Sequence, residues 1–225
     1  MSTTLTDIAV IFDLDGTLID TAGDLTAAMN HVLALEGLPT LPVERVRHMV
    51  GFGARAMLKE GFKAAGELLD DGAADRHVAT FLDYYTNHID EHSAPFEGAI
   101  ETIESLRRDG AKTAICTNKR EAPAVQLMSA LGLDHLFETI VGGDTAAAPK
   151  PDPAPVTLCL TRCDRAHGVF IGDSDTDLRA AENAGMPSVF VDFGYGPSTF
   201  VRRANATISH YADLPAAIAT IHDRR

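Results

Sequence analysis

The stretch that most constrains this chain is Ile8-Ala9-Val10-Ile11-Phe12-Asp13-Leu14-Asp15-Gly16-Thr17-Leu18. Its first five residues are apolar, rich in β-branched types and show no polar alternation. Such a run predicts a strand buried on both faces, the kind found in parallel sheets covered by helices. It stops abruptly at two carboxylates, Asp13 and Asp15. Open parallel α/β sheets bind ligands in the crevice beyond the C-terminal strand ends, which is where these acids fall. Unpaired carboxylates buried together are costly unless they share a proton or meet a cation. One segment therefore predicts both a fold and a charged site.

The chain beyond it divides by texture. Residues 21–36 carry an apolar stripe at Leu25, Ala28, Met29, Val32 and Leu33, which predicts a helix stopped by Gly37-Leu38-Pro39. From Pro42 to about His92 the pattern stays helical, with breaks at Gly51-Phe52-Gly53 and near Asp70-Asp71-Gly72. From Pro95 onward, helices and strands alternate. Helices are expected over 98–108, 120–131, 153–163 and 177–184, and from Leu214. Strands are expected over 111–116, 139–141, 168–171, 187–191 and 206–208. Alternation of this kind implies βαβ units with right-handed crossovers. The expected fold is a doubly wound α/β core, residues 1–20 and 93–225, interrupted by an all-α cap over 21–92. Hinges are expected at 18–21 and 93–97.

Bulk properties narrow the partners. Thirty-two acidic residues against 19 basic ones give a formal net charge of -13, which argues against nucleic acid or an anionic membrane as partner. Three cysteines leave one unpaired in any disulfide scheme, and Cys159 and Cys163, four apart, read as buried helix residues. There is neither a charged-then-apolar leader nor a long apolar run, so a cytoplasmic monomer or homodimer is expected. His88 and His92 have a metal-compatible spacing but no acidic partner motif, and read better as surface residues.

Four polar clusters follow apolar runs or precede a helix: Asp13-Leu14-Asp15-Gly16-Thr17, Thr117-Asn118, Pro149-Lys150-Pro151-Asp152-Pro153, and Gly172-Asp173-Ser174-Asp175-Thr176-Asp177. Each alone reads as an ordinary turn or helix cap. In a parallel sheet all four can converge at one edge. In order and spacing they resemble the four motifs of the haloacid dehalogenase superfamily, and the match spans the whole core.

That resemblance implies a division of roles. Asp13 is the nucleophile that forms an aspartyl-phosphate, and Asp15 protonates the leaving group and then activates water. Thr17 positions the loop. Thr117, Asn118 and Lys150 bind the phosphate. Mg²⁺ is held by the Asp13 carboxylate, the Asp15 carbonyl and Asp173, with Asp177 supporting from behind. Asp175 is expected to cap a helix or lie on the surface.

Within the superfamily, the cap break and the run Asp20-Thr21-Ala22-Gly23-Asp24-Leu25 resemble phosphoglycolate phosphatases. The resemblance implies hydrolysis of a small phosphorylated metabolite, 2-phosphoglycolate first. Gly51, Gly53 and Arg55 would then contact the substrate, with Arg55 on its carboxylate; a plain helix start with an exposed arginine fits the residues equally. Other small substrates, such as a sugar phosphate or pyrophosphate, remain alternatives, as does phosphonatase or phosphomutase chemistry. Lys59 and Lys63 lie too far along their helix for a phosphonatase lysine, and Gly23-Asp24-Leu25 stands where a mutase carries histidine.

Overall fold

Strand β1 (Ile8–Phe12) is buried at every residue and occupies the middle of the molecule. It is flanked by β4 (Lys112–Cys116) and β6 (His167–Gly172), with β5 (Thr139–Val141), β7 (Ser188–Val191) and β8 (Ala206–Ile208) completing a six-stranded sheet in the order β5-β4-β1-β6-β7-β8. All five pairings are parallel; Phe12 stands opposite Ile115 on one side and Ile171 on the other. The computed structural model describes residues 5–222.

The expected two-faced burial is visible residue by residue. Ile8, Val10 and Phe12 share a core with Ile103 and Leu106 of α5 (Ala99–Arg108), Leu127 of α6 (Glu121–Ala130) and Ile218 of α9 (Leu214–His222). Ala9 and Ile11 point the other way, into a second core with Val156 and Cys159 of α7 (Ala154–Arg162) and Ala180 and Ala181 of α8 (Asp175–Asn183). Alternate side chains of one strand thus anchor both helical layers. Removing a large apolar side chain from such a position costs about 2–5 kcal/mol.

The chain runs from β1 outward to β5, then crosses back to β6. The strand order therefore reverses at β1, and the crevice at this switch point is where a doubly wound sheet binds its ligand. Between β1 and α5, the helix that leads into β4, stand four more helices: α1 (Ala22–Leu35), α2 (Val43–Arg47), α3 (Ala54–Ala64) and α4 (Asp71–Asn87). The break between α2 and α3 holds Gly51 and Gly53 as expected, while the break between α3 and α4 runs over 65–70, so that Asp71 and Gly72 open α4. The helical segment leaves and re-enters through a two-stranded antiparallel ribbon, β2 (Ile19–Asp20) paired with β3 (Ala94–Pro95). Asp24 clips the re-entry from α1: its carboxylate accepts from the N–H groups of His92 and Ser93, both at 2.9 Å, and from Ser93 Oγ at 2.6 Å.

Two details correct the expectations. Helix α8 starts two residues before the expected Asp177, because Ser174 caps it in a reciprocal box with Asp177. Asp175 is thus not the cap; it lies in the first turn, within 3.5 Å of Arg203 and 3.8 Å of Arg179. His88 stacks on the Tyr84 ring and His92 is exposed. All three cysteines are free and buried. No helix among the described residues is long and apolar enough to cross a membrane.

Candidate active site

The loop after β1 folds on Leu14, whose carbonyl accepts from the N–H groups of Leu18 and Ile19, both at 3.0 Å. Gly16 sits inside this turn at φ 81°, and a Cβ there would lie 2.6 Å from Asp173 Oδ2 and 2.7 Å from the Tyr195 ring. Only glycine fits both the backbone and the space. The turn delivers Thr17 Oγ1 to Asp173 Oδ1 at 3.1 Å, tying the first acidic loop to the end of β6. The other oxygen of Asp173 accepts from the backbone N–H of Tyr195 at 2.6 Å and of Gly196 at 3.2 Å.

Lys150 arrives from the loop before α7 and is buried. Its ammonium donates to Cys116 O at 2.7 Å and to Asp177 Oδ1 at 2.6 Å. It also lies 2.9 Å from Asp13 Oδ1, but out of line, so that this oxygen has an ionic neighbour and no hydrogen bond. Burial pulls the lysine's pKa down, and the Asp13 and Asp177 carboxylates outweigh it and raise it. Asp177 is occupied on both oxygens, since Oδ2 accepts from Ser174 N at 3.0 Å and Ser174 Oγ at 2.6 Å.

Asp13, Asp173 and Asp177 bring carboxylate oxygens within 4.8 Å of one another, all buried. Burial, then Asp177, raises the pKa of Asp13 against the pull of Lys150. Burial and Asp177 raise Asp173 likewise, against its backbone donors. Three acids against one ammonium leave excess negative charge in a low-dielectric pocket, and an all-oxygen set of this kind suits a hard divalent cation. With Asp177 already held by Lys150 and Ser174, Asp13 and Asp173 are the carboxylates best placed to hold such an ion.

Asp15 points elsewhere. It accepts from Thr21 Oγ1 at 2.7 Å and forms a two-oxygen ion pair with Lys119 at 2.8 and 2.9 Å. The adjacent acids therefore have separate cations, Lys150 for Asp13 and Lys119 for Asp15. Beyond β4, Thr117 is buried and its Oγ1 accepts from Lys119 N at 3.2 Å. Asn118 Nδ2 donates to Lys150 O at 3.1 Å and to Gly51 O at 3.2 Å, joining the core loops to the helical insert.

These loops and the insert enclose a cavity of about 280 Å³, small even for a small-molecule site. Asp13, Asp15, Thr117, Asn118 and Lys150 form one side. Gly51, Gly53 and Arg55 line the other, beside apolar side chains of α1, α3 and α4. The Arg55 guanidinium ion-pairs with exposed Asp75 on α4.

The model of the haloacid dehalogenase-like hydrolases matches residues 10–191, from within β1 to the end of β7. The chain belongs to that family. Among sequence relatives of this hydrolase are the phosphoglycolate phosphatase of Caulobacter vibrioides, 43% identical over 96% of this chain and 93% of the relative. That of Mesorhizobium japonicum is 42% identical over 93% and 94%. A crystal structure of a predicted phosphoglycolate phosphatase from Haemophilus somnus superposes with a TM-score of 0.86 at 28% identity, covering 93% of this chain and 97% of that one.

Two contributors were not singled out from sequence. Lys119 directly follows the Thr-Asn pair, and a lysine one residue past a strand-end motif was the signal available for it. Tyr195 holds Asp173 through its backbone, while its hydroxyl accepts from the N–H groups of Thr21 and Ala22 and donates to Asp20 Oδ1. It links the acid to the exit toward α1, and nothing in the local sequence Gly194-Tyr195-Gly196 announces that.

Proposed function

We propose that this hydrolase is a magnesium-dependent phosphomonoesterase acting on 2-phosphoglycolate through an aspartyl-phosphate. Asp13 is the nucleophile: one carboxylate oxygen attacks phosphorus as the bond to the leaving oxygen breaks. Asp15 delivers a proton to that oxygen and releases glycolate. It then takes a proton from water, whose oxygen attacks the phosphorus and breaks the bond to Asp13. Inorganic phosphate leaves, and both acids return to their starting states.

The remaining residues serve charge and position. Lys150 and the Thr117 hydroxyl face the phosphoryl oxygens, with Asn118 beside them. Asp177 keeps the Lys150 ammonium beside Asp13, and Thr17 fixes Asp173. Asp13, the carbonyl of Asp15 and Asp173 would hold Mg²⁺, which supplies positive charge to the transferring phosphoryl group. We read residues 21–92 as a cap over the core formed by 1–20 and 93–225. In that reading Gly51, Gly53 and Arg55 belong to the substrate-facing wall.

The observation that carries the proposal is the pairing of Asp13 with Lys150 and of Asp15 with Lys119 in one small cavity. A nucleophile and a proton carrier two residues apart are thereby held in distinct electrostatic surroundings. The names of the sequence relatives and the cavity's size support phosphoglycolate over larger esters. Phosphate release should be measured with Mg²⁺ over 2-phosphoglycolate, sugar phosphates, nucleotides and pyrophosphate. The proposal expects phosphoglycolate to give the highest kcat/KM and Asp13→Asn to abolish turnover of every substrate. Full activity in that variant would remove the mechanism, and a preference for another ester would remove the substrate.

A further inference from the structure

Tyr85 of α4 lines the same cavity and is 2% exposed, yet its hydroxyl has no hydrogen-bond partner. A buried phenol left unpaired is costly, and such groups persist where something else satisfies them. Its surroundings on the insert side are apolar: Leu25, Met57, Val78, Phe81 and Leu82 line that wall. On the core side the Lys119 ammonium lies over the Tyr85 ring, 4.7 Å from its centre. The phenol is held as a neutral donor, pushed up to about 12 by burial against the pull of Lys119.

The phosphoryl end of a substrate is fixed by Asp13, Thr117 and Lys150 on the core side. Its other end must then lie toward the insert, where an O–H donor without a partner stands beside a cation. We infer that Tyr85 is a specificity residue: its hydroxyl donates to the substrate's carboxylate, and Lys119 supplies the neighbouring positive charge. The inference rests on the phosphoglycolate reading. It moves carboxylate recognition from Arg55, which pairs with Asp75 at the rim, to the buried end of the cavity. An apolar wall with one donor would favour small acids over bulky or neutral esters, because an ester without an acceptor leaves the phenol unpaired.

The test compares wild type with Tyr85→Phe, which removes one oxygen and keeps the ring beneath Lys119. KM and kcat are measured for 2-phosphoglycolate and for phenyl phosphate, an ester without a carboxylate. The inference expects the ratio of kcat/KM between the two to fall by about tenfold or more, mainly through KM for phosphoglycolate. It also expects no loss of thermal stability, since the removed group has no partner in the free protein. An unchanged ratio, or an equal fall for both substrates, overturns the role of Tyr85 alone. A wild-type protein that hydrolyses phenyl phosphate and not phosphoglycolate overturns the substrate reading and this inference with it.

Discussion

Lys119 Nζ lies 2.8 Å from one carboxylate oxygen of Asp15 and 2.9 Å from the other, with both side chains almost wholly buried. Removing one partner of such a pair leaves the other as an uncompensated buried charge, at a cost of about 3 kcal/mol. Lys119→Met should lower stability by that order and also reduce kcat. Adding Asp15→Asn should restore much of the stability and none of the activity. Urea denaturation of the two single variants and the double variant checks this, and simple additivity would contradict it.

The Asp24 clip supports a second expectation. Asp24→Ala strips the acceptor from two backbone N–H groups and one hydroxyl where the chain returns from the insert to the sheet. The loss should be about 2–4 kcal/mol, and Asp24→Asn should lose less because it keeps one acceptor. Hydrogen exchange at His92 and Ser93 should speed up in Asp24→Ala; unchanged protection there would speak against the clip.

Divalent cation should stabilise as well as activate. Three buried carboxylates cluster with only the Lys150 ammonium among them, so an ion bound only in the folded state adds RT ln(1 + [Mg²⁺]/Kd), about 2.7 kcal/mol at a hundredfold excess over Kd. For a chain of this length that is a rise in Tm of about 5 °C or more. Asp173→Asn should flatten the dependence on Mg²⁺. An Asp173→Asn protein that gains as much as wild type would show that Asp173 does not hold the ion.

Away from the site, Glu138 provides a pH probe. Its carboxyl is held below the ordinary value of 4.5, first by its hydrogen bond with Lys112 and against some desolvation, with Arg107 adding to the pull. A folded-state pKa below the unfolded one gives stability that is present above the unfolded value and lost as pH falls through the folded one. Glu138→Gln should therefore narrow the gap to wild type as the pH drops below about 4.5. Denaturation at pH 7 and pH 3 compares the two proteins directly.

What the sequence discloses and what it hides follow from range. Ile8 to Phe12 announce a central strand because burial on both faces leaves no room for a polar residue. Asp13, Thr117 and Asp173 stand out because each ends an apolar run. The Lys119–Asp15 pair spans 104 positions, and no local pattern marks an ion pair of that length. Tyr195 reaches Asp173 through its backbone N–H, a donor that almost every residue carries. The start of α8 is hidden because Ser174 and Asp177 cap it jointly, and Asp177 read alone is equally good as a first helical residue.

The central claim is that Asp13 becomes covalently phosphorylated. Wild-type protein turning over 2-phosphoglycolate with Mg²⁺ should be quenched in borohydride, which reduces an acyl phosphate to an alcohol, and then digested for mass spectrometry. The account predicts homoserine at position 13, dependent on substrate and missing from Asp13→Asn. Sustained phosphate release with an unmodified Asp13, or reduction mapping to Asp15 or Asp173, would contradict it.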